Sequence, residues 1–423
     1  MTAMRSALAA RVAACTLALA LSACVSDDFP ADMRGRTSLE AASAQPVTVP
    51  MQIHNNRLFV EVTVLRPDGT ERPALAWINM GMPAPVLRGP IYDELGIKDG
   101  KGLIVRLGGQ SLTVEPSAIV NGGKDGFWTG QFSPLPMELV LPPQLFADRL
   151  ITFDYAARTL TLAPRGGARP KGVEVAMTVN DKTGFAEIEG TVDGHTAHYV
   201  IDCGGGFTWF RGAAVADWLK RHPDWLVAEG AVGSANQGML DYAFETEGKI
   251  VRIPAMGFGA LSVHDAEILA SGPILGSPLD PLIGDLFWDN WGKRAAQTPV
   301  DGWIGANLLR LYRITYDYRG GVSYWEKLGD PDRHELDGIG ISLVRKGDGG
   351  YRIGGVVRRD GRDTVSGAER GDVLAGIDGM EVTADSEREA VLSALHGHPG
   401  ETRHLSLRRD GKTVEIDSKV TAF

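Results

Sequence analysis

Cysteine is nearly missing from this chain. Its 423 residues hold three, Cys15, Cys24 and Cys203, too few for a disulfide framework or a thiolate-rich metal site. Positive charge is also in short supply. Lys and Arg number 43 against 53 Asp and Glu, giving a net charge of −10, and no Lys/Arg-rich stripe interrupts the chain. This argues against nucleic acid or an anionic membrane surface as an electrostatic partner. Beyond residue 24 no apolar run reaches the ~18 residues of a spanning helix. Helical periodicity is scarce too, which leaves a soluble, mostly β protein, long enough for two or three domains.

The N-terminus is the exception to the shortage of apolar runs. Arg5 and Arg11 precede Val12 to Leu21, followed by Leu21-Ser22-Ala23-Cys24. A basic start, a short apolar core and small residues before a cut describe a secretory signal over residues 1–23. Its removal takes away two arginines and no acids, moving the net charge from −10 to −12. The Leu-small-small-Cys order resembles the lipobox of bacterial lipoproteins. That resemblance implies Cys24 as the lipidated first residue, an anchor in the cell envelope, and sorting to the outer membrane facing the periplasm, since Val25 and Ser26 follow rather than Asp. Residues 24–50, rich in Ser, Ala, Pro and Asp, read as a flexible tether. Only Cys203 then remains as a thiol, so no disulfide forms within the mature chain.

From Leu58 onward short β runs alternate with Gly and Pro: Leu58–Val64, Leu103–Leu107 and Leu150–Tyr155. The pattern then repeats. Ile151-Thr152-Phe153-Asp154-Tyr155 followed by Thr159–Leu162 has a twin in Ile314-Thr315-Tyr316-Asp317-Tyr318 followed by Val322–Trp325. Each reads as a hairpin. Upstream, Ala74–Gly81 parallels Ala197–Gly204. Two copies of one β unit therefore lie in tandem, at 51–165 and 170–328. The second is lengthened around 255–297, where Trp288 and Trp291 serve either to pack a long loop or to line a ligand surface. A charged stretch over 326–335 leads to a third unit, 335–420, with a helix expected from Ser386 (as N-cap) to Leu395 and a hairpin turn at Asp410-Gly411.

The stretch Tyr199-Val200-Ile201-Asp202-Cys203-Gly204-Gly205-Gly206 ends an apolar strand on a carboxylate and turns at once through glycine. Such a turn fixes an acid with backbone N–H groups around it. The glycines lack Gly-x-Gly-x-x-Gly spacing and a following βαβ pattern, so they are not a phosphate loop. His195 and His198, three apart on a strand, point to opposite faces and make no metal pair. Cys203 has no histidine base nearby in sequence. Asp154 and Asp317 occupy equivalent hairpin positions, which suits a structural role.

Taken together, Asp202-Cys203-Gly204 and Trp303-Ile304-Gly305-Ala306-Asn307-Leu308-Leu309 make residues 50–328 resemble the pepsin/retropepsin-type aspartic proteases, in a bacterial lipoprotein member. The resemblance implies a mainly β fold of two retropepsin-like barrel lobes, with a flap over Val232 to Lys249 and catalytic Asp202 supported by Cys203, Gly204 and Gly81. The third unit resembles a PDZ domain, an α+β fold. Gly338-Ile339-Gly340-Ile341 stands at its carboxylate-binding loop, and Gly371-Asp372-Val373-Leu374 with Ile377-Asp378-Gly379 at its second signature. It implies a peptide whose C-terminus meets that loop; a unit that only packs on the lobes is the alternative.

Aspartic proteases need two carboxylates sharing a proton about a water. The twin of Asp202 is Asn79, whose amide neither takes up nor releases a proton at neutral pH. The first copy also lacks the apolar-apolar-Gly strand, with Leu139-Val140-Leu141-Pro142-Pro143 in its place. The expectation is an envelope lipoprotein whose cleft binds a peptide or protein, with hydrolysis lost or weak. Two alternatives are an aspartic endopeptidase working through Asp202 and a structural lipoprotein that binds no peptide. No metal or cofactor is required.

Overall fold

The computed structural model describes residues 37–40, 44–123, 136–230, 235, 243–272, 288–289, 296–345 and 350–423. Its chain is mainly β, 47% strand and 14% helix, in barrel and half-barrel sheets. The signal, Cys24, Trp291 and most of the flap stretch lie outside the described residues.

The first unit centres on the antiparallel pair Arg57–Leu65 and Glu71–Ile78. Leu139–Leu141 then runs parallel to the second of these strands, matching Ala76, Trp77 and Ile78. The second unit repeats the arrangement. Ala186–Val192 pairs with His195–Ile201, and Gly302–Ile304 runs parallel to the latter, matching Tyr199, Val200 and Ile201. In both units the strand continues into a turn whose first amide donates to the crossing strand: Asn79 N–H to Leu141 O (3.2 Å) and Asp202 N–H to Ile304 O (2.9 Å). These strands are central and buried on both faces, which is why they read as unbroken apolar runs.

The two hairpins legible as a repeat are not separate. Arg149–Asp154 pairs antiparallel with Tyr312–Asp317, with Thr152 opposite Thr315 and their hydroxyls 2.8 Å apart. One six-stranded sheet results, drawing strands from both units. Asp154 and Asp317 close their own turns, accepting from Ala157 N–H and Gly320 N–H, both at 2.8 Å.

Two expectations need correction here. The tether is partly strand: Val47–Pro50 forms an edge of the shared sheet against Thr159–Leu162, and Thr37–Glu40 pairs with Ser111–Val114. β-Branched residues in Val47-Thr48-Val49 suit an open sheet edge, and the edge satisfies backbone groups that a tether would leave to water. The lengthened second copy is, over 249–270, a long hairpin of Lys249–Phe258 and Leu261–Ala270 rather than a loop.

The third unit is a five-strand meander-like path, Ile341–Arg345, Tyr351–Val356, Val373–Ile377, Thr402–Arg409 and Lys412–Lys419, with one short strand paired beside it. Its helix, Arg388–Leu395, buries Val391, Leu392 and Leu395. Glu387 occupies the N-cap position, not Ser386, whose hydroxyl instead accepts from Thr383 N–H (2.9 Å) and closes the preceding turn. Asp410 and Gly411 have φ of 49° and 76°, the left-handed pair a tight hairpin requires.

Gly305 is one place where the second unit tolerates no side chain: a Cβ there would overlap the backbone of Phe207 and Thr208. Gly305→Ala is expected to cost more than about 3 kcal/mol, because backbone cannot yield as a flexible side chain does. Urea unfolding measures it.

Candidate active site

The two turns meet. The carboxylate of Asp202 lies against Gly81, whose added Cβ would come within 2.6 Å of Asp202 Oδ2. Reciprocally, the Asn79 amide fills the space beside Gly204, where any Cβ would collide with it. Each glycine thus makes room for the polar side chain of the other unit. A single donor links them. Gly81 N–H donates to Asn79 Oδ1 (2.8 Å) and to Asp202 Oδ1 (3.0 Å). Asp202 Oδ1 accepts a second bond from Gly204 N–H at 2.7 Å.

Asn79 is buried, while Asp202 keeps part of its surface open. Burial among protein atoms pushes the Asp202 carboxyl up to about 6, against the pull of the Gly204, Gly81 and Gly205 amides and of Arg57. Cys203 is fully buried and its thiol donates to Ile78 O of the first unit at 3.6 Å. The inter-unit bond that a hydroxyl would make is thus kept in weaker form. Burial first, and the nearby Asp202 charge second, raise the thiol far above its ordinary pKa, so it stays protonated and is no nucleophile.

Arg57 is the site residue the sequence did not disclose. Its guanidinium is buried, lies 5.7 Å from the Trp77 ring centroid and donates to Asn55 O (3.3 Å). Desolvation, with the like charge of Arg388, lowers it to about 10, while Glu245 and Asp202 oppose that shift. It follows the turn Asn55-Asn56, both residues with left-handed φ (48° and 60°). From this turn Asn56 Nδ2 donates to Gly206 O at 3.1 Å, tying the first unit to the Asp202 loop. The only signal available was an arginine immediately ahead of an apolar strand, which ordinarily marks a solvated strand end.

The remaining candidates lie elsewhere. Gly338–Ile341 belong to the third unit. There Gly338 N–H donates to Thr421 O, Ile339 N–H to Leu395 O and Ile341 N–H to Ile339 O, at 3.1, 2.9 and 2.8 Å. Three amides that would greet a carboxylate already have acceptors within the chain. At Gly340 a side chain would collide with Thr364. His195 and His198 each lean toward an acid, Asp301 (3.7 Å) and Glu187 (3.9 Å). Trp288 is buried, its ring centroid 4.7 Å from that of Trp209, which answers to the packing role. Among the described residues no three His, Cys, Asp or Glu side chains gather as metal ligands, and no helix is long and apolar enough to cross a membrane.

No family model matches this sequence, and no curated protein matches it. Among solved structures it is similar to a photosystem II D1 C-terminal processing protease, at 17% identity and a TM-score of 0.18 over 21% of this chain. The match spans 23% of that protein, too little and too distant to bear on fold or activity.

The site makes a pH-dependent prediction. An unfolded aspartate titrates near 4, so the raised carboxyl favours the fold below that value, and the benefit is lost as pH rises through about 6. Asp202→Asn keeps an oxygen for Gly81 and Gly204 and removes the buried charge. It should stabilise the protein by up to about 3 kcal/mol above pH 6 and not at pH 4, as compared by urea unfolding of variant and parent.

Proposed function

We propose that this protein is an aspartic-protease-like envelope lipoprotein: two lobes, a cleft that holds an extended peptide or unfolded protein segment, and a C-terminal PDZ-like unit. Hydrolysis in the cleft is lost or weak. The observation that carries this reading is the shared Gly81 amide, which puts the Asn79 amide oxygen and the Asp202 carboxylate oxygen on one donor. That is the placement two catalytic carboxylates would need, with one of them replaced. The reciprocal glycine contacts and the matched parallel strands support the same two-lobe reading.

One carboxylate can take a proton from water, but the second step, proton donation to the carbonyl oxygen, then has no acid on the other side. Asn79 can only offer a hydrogen bond. A second reading, slow hydrolysis through Asp202 alone, is favoured by its pKa near 6, which lets it exist as acid or base around neutrality. In either case lipid on Cys24 would hold the protein at the outer membrane, facing the periplasm, with peptide or protein as its partner. No cofactor is needed.

Restoring the missing acid tests this. Asn79→Asp should gain cleavage of an unstructured polypeptide at mildly acid pH, at least about tenfold over the parent. Adding Asp202→Asn should abolish the gain, while the parent binds the same polypeptide with little turnover. A parent that cleaves as fast as Asn79→Asp overturns the pseudoprotease reading. Failure of both to bind or cleave overturns the cleft itself.

A further inference from the structure

The third unit does not hang free. It packs on the second unit, Phe207 of the Asp202 loop included, and is linked to the first through Arg310. Toward the second unit, Leu226–Glu229 pairs with Arg358–Arg359, so that the ten-stranded sheet continues into the third unit. Ion pairs Arg358–Glu229 (3.2 Å) and Arg370–Glu247 (2.5 Å) flank this seam. Gly354 and Gly355 face Thr246, whose Cγ2 would lie 3.2 Å from a Cβ on Gly354. Two adjacent glycines in a strand let the Ala243–Thr246 helix lie against the sheet. A buried apolar cluster joins Phe207, Ala228, Ile250 and Leu269 of the second unit to Leu336, Val357 and Phe423 of the third. Phe207 belongs to the Asp202 loop.

Toward the first unit, the charges at the helix start, Glu387–Glu389, reach the turn that carries His54 and Arg57. Arg388 is buried, and its charge opposes that of Arg57, which Glu245 and Asp202 offset. Both glutamates act on His54. Arg310 completes the link, donating to Asn56 Oδ1 (3.3 Å) and pairing with Glu335, at the start of the third unit. One body thus spans both units and contacts the Asp202 loop.

We infer that the third unit is a docked closure of the candidate cleft, an autoinhibitory contact that must release before an extended chain can enter. This rests on the cleft reading proposed above. The interface has two unlike halves. The apolar cluster holds the third unit to the second, whereas the first unit's turn is tied to it by a polar link, Arg310 bonding Asn56 and pairing with Glu335. Opening therefore swings the third unit away from the first unit's turn and uncovers the buried Arg57.

The test uses the full chain carrying Arg358→Glu and Arg370→Glu, with Glu335→Arg as an independent break of its pair with Arg310. Hydrogen exchange should rise at residues 54–57 and 243–247 in both variants. Binding of a fluorescent unstructured polypeptide should tighten about tenfold, and in an Asn79→Asp background cleavage should accelerate equally. Adding Glu229→Arg and Glu247→Arg to the double variant should return both readouts toward the parent. Faster exchange with unchanged polypeptide binding overturns the closure and leaves the cleft reading standing. Unchanged exchange in both variants overturns the docking contact. No binding in docked and released forms alike, with faster exchange, overturns the cleft reading and the closure together.

Discussion

One backbone N–H, that of Gly81, holds the centre of this molecule. Around it two turns from distant parts of the chain must approach until only glycine fits at each contact. Gly81 lies against the carboxylate of Asp202, Gly204 against the amide of Asn79. Everything that positions the turns follows from that approach. The parallel crossing strands fix where each turn leaves the sheet, Cys203 reaches across to Ile78, and Asn56 reaches across to Gly206. The asymmetry is chemical rather than geometric. An oxygen stands at both places, but only one belongs to a group that titrates.

The electrostatics around Asp202 fit a site with one carboxylate. In a dyad, the neighbouring acid would raise the pKa of its partner by repulsion. Here burial does the raising, and the charged side chain that acts on Asp202 among the described residues is the cation Arg57. Because Arg57 is itself buried over Trp77, its field is little screened by solvent. Asp202 is therefore an isolated acid in a cationic setting, and changes at Arg57 will be felt there.

Much of this was legible in the residues. The duplicated hairpins, the Asn79–Asp202 equivalence and the β character all come from local patterns: apolar alternation, Gly turns and the Ile-Thr-aromatic-Asp-Tyr repeat. Strand partners were not legible where pairing is long-range. Nothing within Ile151–Tyr155 says that its neighbour is Ile314–Tyr318, and nothing within Val47–Pro50 says that an edge awaits it. Arg57 was missed for a related reason. It packs over Trp77, which is not adjacent in sequence. The loop of Gly338–Ile341 shows the reverse dependence. Its glycine pattern suggested amides pointing at a ligand, yet three of those amides have acceptors in the chain that only the tertiary structure supplies.

The pairing of Thr152 with Thr315 has a consequence beyond the sheet. Residues in equivalent places of the two copies face each other there, as identical patches do in an isologous dimer. Such a seam is self-complementary, and it is made in a different sheet from the strands that end in Asn79 and Asp202. The architecture thus separates the bonds that join the two halves from the groups that would do chemistry between them. A chain built this way can change the side chain at one turn without unseating the other half.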